Sequence, residues 1–157
     1  MSATQFTDVM SRLAAGLAVL TVRSGSGTPC GLLVSSLASY STRPPSVLVS
    51  IARSSRSWQW LVEGAPFGTH LLARGDEDTA RVFAGRSADK FARLDWDWDD
   101  GVPRLRHSPV YLRCTVAARF DHGDHTVVIG DVGGGRCAET DPLVYYRRAY
   151  DWRLRRP

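Results

Sequence analysis

The chain has 157 residues, 20 Lys plus Arg against 16 Asp plus Glu, and 43% apolar side chains. That is enough chain to bury about two-thirds of its unfolded surface in one domain, or in one domain that pairs with a copy of itself. It is too apolar, and its net charge of +4 too small, for disorder to dominate.

No apolar run reaches the ~20 residues that cross a bilayer. The opening MSATQFTDVMSRL has no basic start followed by an apolar stretch, so neither a membrane span nor a secretory leader is expected. Cys30, Cys114 and Cys137 are odd in number and far apart, which argues against a disulfide framework and for a reducing, cytoplasmic setting. The positive charge is almost all arginine, Lys90 being the only lysine. Apart from the tail residues Arg153, Arg155 and Arg156 it is spread along the chain, whereas a nucleic-acid binder concentrates it on one face. A mild attraction for anionic small molecules is the better reading.

Phe6, Val9, Met10, Leu13 and Leu17 recur at helical spacing behind Thr4, a capping residue, and predict an amphipathic helix over 5–15. Its stripe reads as core or dimer contact. Ala18–Val22 and Cys30–Ser36 are β-rich and flank the turn sequence SGSGTP, which predicts a hairpin. After Pro44-Pro45, SVLVSI (46–51) alternates at period two. Trp58, Leu61 and Val62 suggest a short helix stopped by Gly64; Phe67–Leu72 reads as a strand, and Asp76 as the cap of a helix over 77–84. Val110–Phe120 alternates over an unusual length, turns at 121–124 and returns as His125–Val132. Gly133–Gly135 reads as a turn before a last strand at Leu143–Tyr146. About seven short strands with two or three helices suggest a closed or sandwiched antiparallel sheet. One domain over 1–157, with its core at about 6–150, is the simplest organisation.

Metal chemistry is weakly supported. His122 and His125 are three apart between Asp121 and Asp124, but DHGDH reads as a turn entering a strand, and no cysteine pair has zinc-like spacing. No Gly-x-Ser-x-Gly nucleophile elbow occurs. Asp95, Asp97, Asp99 and Asp100, interleaved with Trp96 and Trp98, read as a solvated loop with aromatic anchors. Hydroxyl density is the distinctive feature: Ser35, Ser36, Ser39, Ser41 and Thr42 precede Pro44-Pro45, and Ser50, Arg53, Ser54, Ser55, Arg56 and Ser57 follow the next strand. Hydroxyls, arginine and N–H groups at a helix start suit a phosphate. Serines also fill turns and caps without binding anything.

In order along the chain, FTDVMSRLAAGLAVLTV, GLLVSSLASYSTRPPSVLVSIARSSRSW, FGTHLLA, ARVFAGRSADKFA, GDHTVVIGDV and DPLVYYRRAY resemble the short-chain flavin reductases, the reductase partners of two-component flavin monooxygenases. The resemblance runs from Phe6 to Tyr150. It implies a mainly β, antiparallel Greek-key split β-barrel with a few short peripheral helices, built as a homodimer. It implies FMN or FAD as flavin and NADH, or NADPH, as donor, with direct hydride transfer and no catalytic side chain or metal. Reduced flavin would go to a separate monooxygenase.

For the flavin, the resemblance implies Ser35 and Ser36 against the isoalloxazine, largely through backbone groups. Ser41, Ser50, Ser54, Ser55 and Ser57 would hold the ribityl chain and phosphate, with Phe83 and Lys90 approaching from the helical segment. For the nicotinamide nucleotide it implies His125, Arg148 and Tyr150. Two positions depart from the family pattern: Leu33 where Thr is frequent, and His70 where Asn is frequent. Two other readings stay open, a split barrel acting on another substrate such as a pyridoxine phosphate, and a flavin binder without turnover.

Overall fold

The computed structural model describes residues 1–87 and 89–152. The tail arginines 153, 155 and 156 lie outside the described residues. Helix α1 (Ala3–Met10) leads into β1 (Ala15–Gly16), β2 (Ala18–Arg23), β3 (Pro29–Val34), β4 (Ala38–Thr42) and β5 (Pro45–Ala52). A single 3-10 turn (Trp58–Trp60) separates β5 from β6 (Pro66–Leu71) and α2 (Glu77–Ala84). Then come β7 (Trp96–Asp99), β8 (Val102–Leu105), β9 (Val110–His122), β10 (His125–Cys137), β11 (Val144–Tyr146) and β12 (Ala149–Trp152). No helix among the described residues is long and apolar enough to cross a membrane.

Seven strands form one antiparallel sheet in the order β3-β2-β6-β9-β10-β5-β4. Its two edge strands, β3 and β4, are consecutive in sequence and separated only by residues 35–37. A link that short spans at most ~14 Å from Val34 to Ala38, so the sheet must curl until its edges nearly meet. The Ser36 side chain fastens the join: its hydroxyl accepts from the Ser50 N–H at 3.0 Å and donates to the Ser50 carbonyl at 3.0 Å. The result is the expected split barrel, with Ser35-Ser36 at the split.

Strand β2 shows why alternation is faint there. Ala18, Leu20 and Val22 face the barrel core with Val49, Ile51, Phe67, Val116 and Val128. Its other face, with Leu17 and Val19, packs against a second core of Leu72, Phe83, Phe91, Leu105 and Leu143. A strand buried on both faces reads as a continuous apolar run.

Several expectations are corrected. The first helix is Ala3–Met10, not 5–15, and its cap is Ser2, not Thr4. Ser2 and Gln5 form a reciprocal capping box, with Gln5 N–H to Ser2 Oγ at 3.2 Å and Ser2 N–H to Gln5 Oε1 at 2.8 Å. The helix stops because Ala15 and Gly16 pair instead with Tyr145 and Val144. Asp76 precedes α2, yet its carboxylate accepts from the Ala73 N–H at 2.8 Å rather than from the helix. The glycine run 133–135 is not a turn; it continues β10 opposite β9, with a register shift between Val132 and Gly134. There a Gly135 Cβ would stand 2.3 Å from the Tyr111 carbonyl, so glycine permits close backbone approach. The segment 95–105 is a hairpin, β7–β8, rather than a solvated loop. Asp100 (φ 50°) and Gly101 (φ 81°) make its turn, and Arg104 grips Asp97 with two bonds of 2.9 and 2.7 Å.

His70, one of the two departures, is a structural tie. It is wholly buried on β6. The Leu105 N–H donates to its Nε2 at 3.0 Å, so the ring proton sits on Nδ1, which faces the Val19 carbonyl at 3.3 Å. The ring stacks on Tyr111 with centroids 4.8 Å apart. One imidazole thereby links β2, β6, β8 and β9. Burial is the main cause that pushes its pKa down to about 4, so it is neutral at pH 7.

Candidate active site

The split has two ends. At one, Pro29, Cys30 and Gly31 of β3 face Arg56, Ser57 and Lys90 across a small pocket. Lys90 Nζ donates to the Phe83 carbonyl at 2.7 Å and to the Gly31 carbonyl at 3.3 Å. The Gly31 carbonyl therefore points outward from the sheet edge, and by alternation so do the polar groups of Leu33. Arg56 donates to the Ser87 carbonyl. Among the described residues, neither Lys90 nor Arg56 is in an ion pair. Partial burial, then repulsion from Arg56, lowers the Lys90 pKa. Two cations that repel one another without a carboxylate between them make a site short of an anion.

At the other end, Leu17, Leu33, Val34 and Ser35 line a pocket with Tyr145 and Tyr150. The two tyrosine rings are 5.5 Å apart, and the Arg81 guanidinium lies 5.9 Å from the Tyr150 centroid. Leu33 thus adds an apolar wall where the family pattern has a hydroxyl.

The hairpin β9–β10 brings His125 to the same region. His125 pairs in register with Ala52, and Val127 with Ser50, so His125 and Ser50 share the face that carries Ala52. The Arg53 N–H donates to the Asp124 carbonyl at 2.9 Å. His125 Nδ1 meets the Asp124 carboxylate at 2.7 Å, and this contact holds the Asp124 carboxyl below its usual range.

The residues expected from the sequence divide accordingly. Ser36 is bonded to Ser50, Arg56 and Ser57 of the 53–57 loop share a pocket with Lys90, Arg53 N–H bonds the Asp124 carbonyl beside His125, and Ser35 and Tyr150 share the second pocket. Ser41 Oγ accepts from the Arg43 N–H at 3.1 Å in the β4–β5 turn and lines neither pocket. Phe83, expected to approach the flavin from the helical segment, has its ring in the core; it is 1% exposed, edge-on to Phe91, and a Gly31 Cβ would lie 2.6 Å from its ring. What Phe83 offers outward is the carbonyl that holds Lys90. Arg148 is exposed with φ 63°, in the turn between β11 and β12, and no described contact joins it to either pocket.

The 53–57 loop does not open a helix with outward N–H groups. Ser55 N–H bonds to the Ala52 carbonyl at 2.9 Å, Ser57 N–H to Ser55 Oγ at 3.3 Å and Trp58 N–H to the Ser55 carbonyl at 3.1 Å. The exposed Ser54 hydroxyl, two residues before Arg56, is in no hydrogen bond among the described residues. Arg56 is legible in the sequence only as part of an arginine-serine loop. Nothing in the sequence points to Cys30 or Tyr145, because only barrel closure brings them in.

Such an arrangement, a closed sheet whose seam presents unpaired backbone, hydroxyls and a cation pair, defines a barrel that binds an extended, anionic, ring-bearing ligand. The flavin reductase like domain matches residues 10–153, and the chain belongs to that family. It is 39% identical to the flavin reductase (NADH) of Kitasatospora aureofaciens over 150 residues, covering 92% of this chain and 78% of that one. It is 34% identical to the reductase subunit HsaB of a flavin-dependent monooxygenase from Mycobacterium tuberculosis, covering 92% and 79%. The Streptomyces globisporus NADH:FAD oxidoreductase SgcE6, solved with NAD and FAD fragments, superposes with a TM-score of 0.89 at 26% identity, covering 96% of this chain and 92% of that one. The protein is an NAD(P)H-dependent flavin reductase.

Proposed function

We propose that this chain, folded as one domain, binds FMN or FAD along the barrel seam and holds NADH or NADPH against it at the His125 hairpin. The observation that carries this reading is the pairing of an uncompensated Arg56–Lys90 cation site, beside Gly31 at one end of the exposed β3 edge, with the pocket of Ser35 and Tyr150 at the other. The donor set fits the group: two cations and a free hydroxyl for a phosphate, and outward backbone groups at Leu33 for the polar rim of a ring system. When bound, the flavin supplies the ring that accepts a hydride from the nicotinamide.

The protein's own contribution is positional. Lys90 and Arg56, with Ser54, take the phosphate. Backbone groups at Ser35 and Ser36 face the ring edge and stabilise negative charge there. Ser36 cannot donate its hydroxyl proton to ligand, because that proton closes the barrel onto the Ser50 carbonyl. His125 seats the nicotinamide, and Tyr150 covers the opposite pocket. Arg148 is proposed only as an outer contact for the nucleotide. No side chain need move a proton. Reduced flavin leaves for a monooxygenase component, so the flavin acts as substrate as much as bound group.

We also propose a homodimer. Helix α1 has no buried residue, and Phe6, Val9, Met10 and Leu13 lie exposed on it or just beyond its end. A second copy covers this stripe in the proposed assembly.

The test is NADH oxidation in air by purified protein, first without flavin and then with FMN or FAD. Consumption that requires added flavin and saturates in it supports the reading. Flavin binding without oxidation of either NADH or NADPH overturns it. His125→Ala should raise the KM for NADH more than it lowers kcat; a large kcat loss at unchanged KM would remove His125 from nicotinamide binding.

A further inference from the structure

The phosphate loop and the His125 hairpin are joined by a part-buried hydrogen-bond chain that the binding scheme does not use. Trp58 Nε1 donates to Thr126 Oγ1 at 2.7 Å, and Thr126 Oγ1 donates to Asp121 Oδ1 at 2.6 Å. Thr126 is fully buried. Its hydroxyl is used once as acceptor and once as donor, so no apolar isostere can stand in for it. Two guanidinium groups lie over the Trp58 ring, Arg119 at 4.9 Å and Arg53 at 5.7 Å from its centroid. Arg53 also donates to the Gly123 carbonyl at 3.5 Å. Residues 53–58 are thus fastened to 121–126 from both sides.

The register gives this brace a consequence. Thr126 and His125 are neighbours on β10, so their side chains point to opposite faces of the strand. Thr126 is opposite Asp121 and Ile51, and His125 is opposite His122 and Ala52. Pinning Thr126 inside, to Trp58 and Asp121, therefore sets His125 outside, beside Ser50 and the phosphate loop. A slip of one residue at the hairpin would exchange the two faces.

We infer that Thr126, held by Trp58 and Asp121, is a positioning residue that sets His125 for the nicotinamide and ties its placement to the phosphate loop. The inference rests on the role of His125 proposed above. Thr126 touches neither nucleotide in this scheme and acts through its neighbour.

Thr126→Val, Thr126→Ser and Trp58→Phe test it, each assayed by NADH oxidation with FMN while NADH and FMN are varied in turn. Thr126→Val and Trp58→Phe should raise the KM for NADH by about fivefold or more, with kcat and the KM for FMN within about twofold, and Thr126→Ser should restore most of the loss. Trp58→Phe keeps a six-membered ring under Arg53 and Arg119 while removing the donor along with the rest of the indole, so it decides the matter if Thr126→Val fails to fold. A KM for NADH that stays within about twofold in Trp58→Phe overturns the inference. So does a joint fall in kcat and both affinities that Thr126→Ser does not repair. If wild-type protein consumes no NADH with any flavin, it is the reductase reading that fails.

Discussion

At the residue scale, the chemistry of this protein depends on which polar groups are spent on the fold and which are left over. Ser36, Thr126 and His70 all carry hydrogen-bonding groups that the closed sheet consumes, whereas Lys90, Arg56 and Ser54 keep capacity for a ligand. Lys90 is the clearest case. Replacing it with Met should raise the KM for FMN about tenfold or more, the scale of one charge-assisted hydrogen bond. The KM for riboflavin, which lacks the phosphate, should move far less. Equal losses for both flavins in steady-state assays would place Lys90 in fold support alone.

His70 makes a pH prediction. Its folded pKa of about 4 lies below the unfolded value of 6.5. Between those values the unfolded chain binds the extra proton, so stability is full above pH 6.5 and is lost as the pH falls toward 4. The loss amounts to about 3 kcal/mol. Urea unfolding at a series of pH values should show this slope, and His70→Asn should flatten it. A wild-type slope no steeper than that of the variant would mean His70 is not buried neutral.

At the element scale, the long β9–β10 hairpin organises the molecule. It carries His125 at its tip and passes Gly130 beneath Phe67, where a Cβ would fall 2.4 Å from the ring. Gly130→Ala should therefore destabilise by about 1–3 kcal/mol through overpacking. Phe67→Leu in the same chain should recover part of that, read as thermal midpoints of the single and double variants. Independent, additive losses would show that the two positions do not compete for space.

The same hairpin separates what local sequence can and cannot specify. Val110–Phe120 and its return strand are evident from alternation, and the helix over 77–84 follows Asp76, whose carboxylate nonetheless bonds the Ala73 N–H. The glycine run 133–135 reads as a turn because glycine serves both turns and close strand crossings, and only the partner strand distinguishes them. The β7–β8 hairpin does have a local signature, Asp100-Gly101 between WDWD and VPRL. The surrounding carboxylates mask it, because a run of acidic residues is also what a solvated loop contains.

At the scale of the whole molecule, assembly turns on α1. A helix capped by Ser2 and Gln5 but burying none of its own residues gains little from its host barrel. Glutamate at both Phe6 and Val9 should convert the proposed dimer to monomer in light scattering. The circular dichroism of the barrel should be retained, because those side chains support no core in the single chain. Wild-type protein that is already monomeric at working concentration would remove the dimer proposal, without touching the seam where the flavin is placed.

The sequence by itself determined the strand-rich class, the hairpins and, through the ordered segments around Ser35-Ser36 and Gly123-Asp124-His125, the family. Those features are local: alternation, turn chemistry and short motifs are written in neighbouring residues. The tertiary structure alone decided that the Ser36 hydroxyl is tied to Ser50, that Phe83 is core, that Arg56 shares a pocket with Lys90, and that His70 is a neutral tie between strands. These outcomes depend on what a side chain meets across the closed sheet. Ser36 reaches Ser50, Lys90 reaches Gly31 and Trp58 reaches Thr126 over separations of 14, 59 and 68 residues, which no local pattern records.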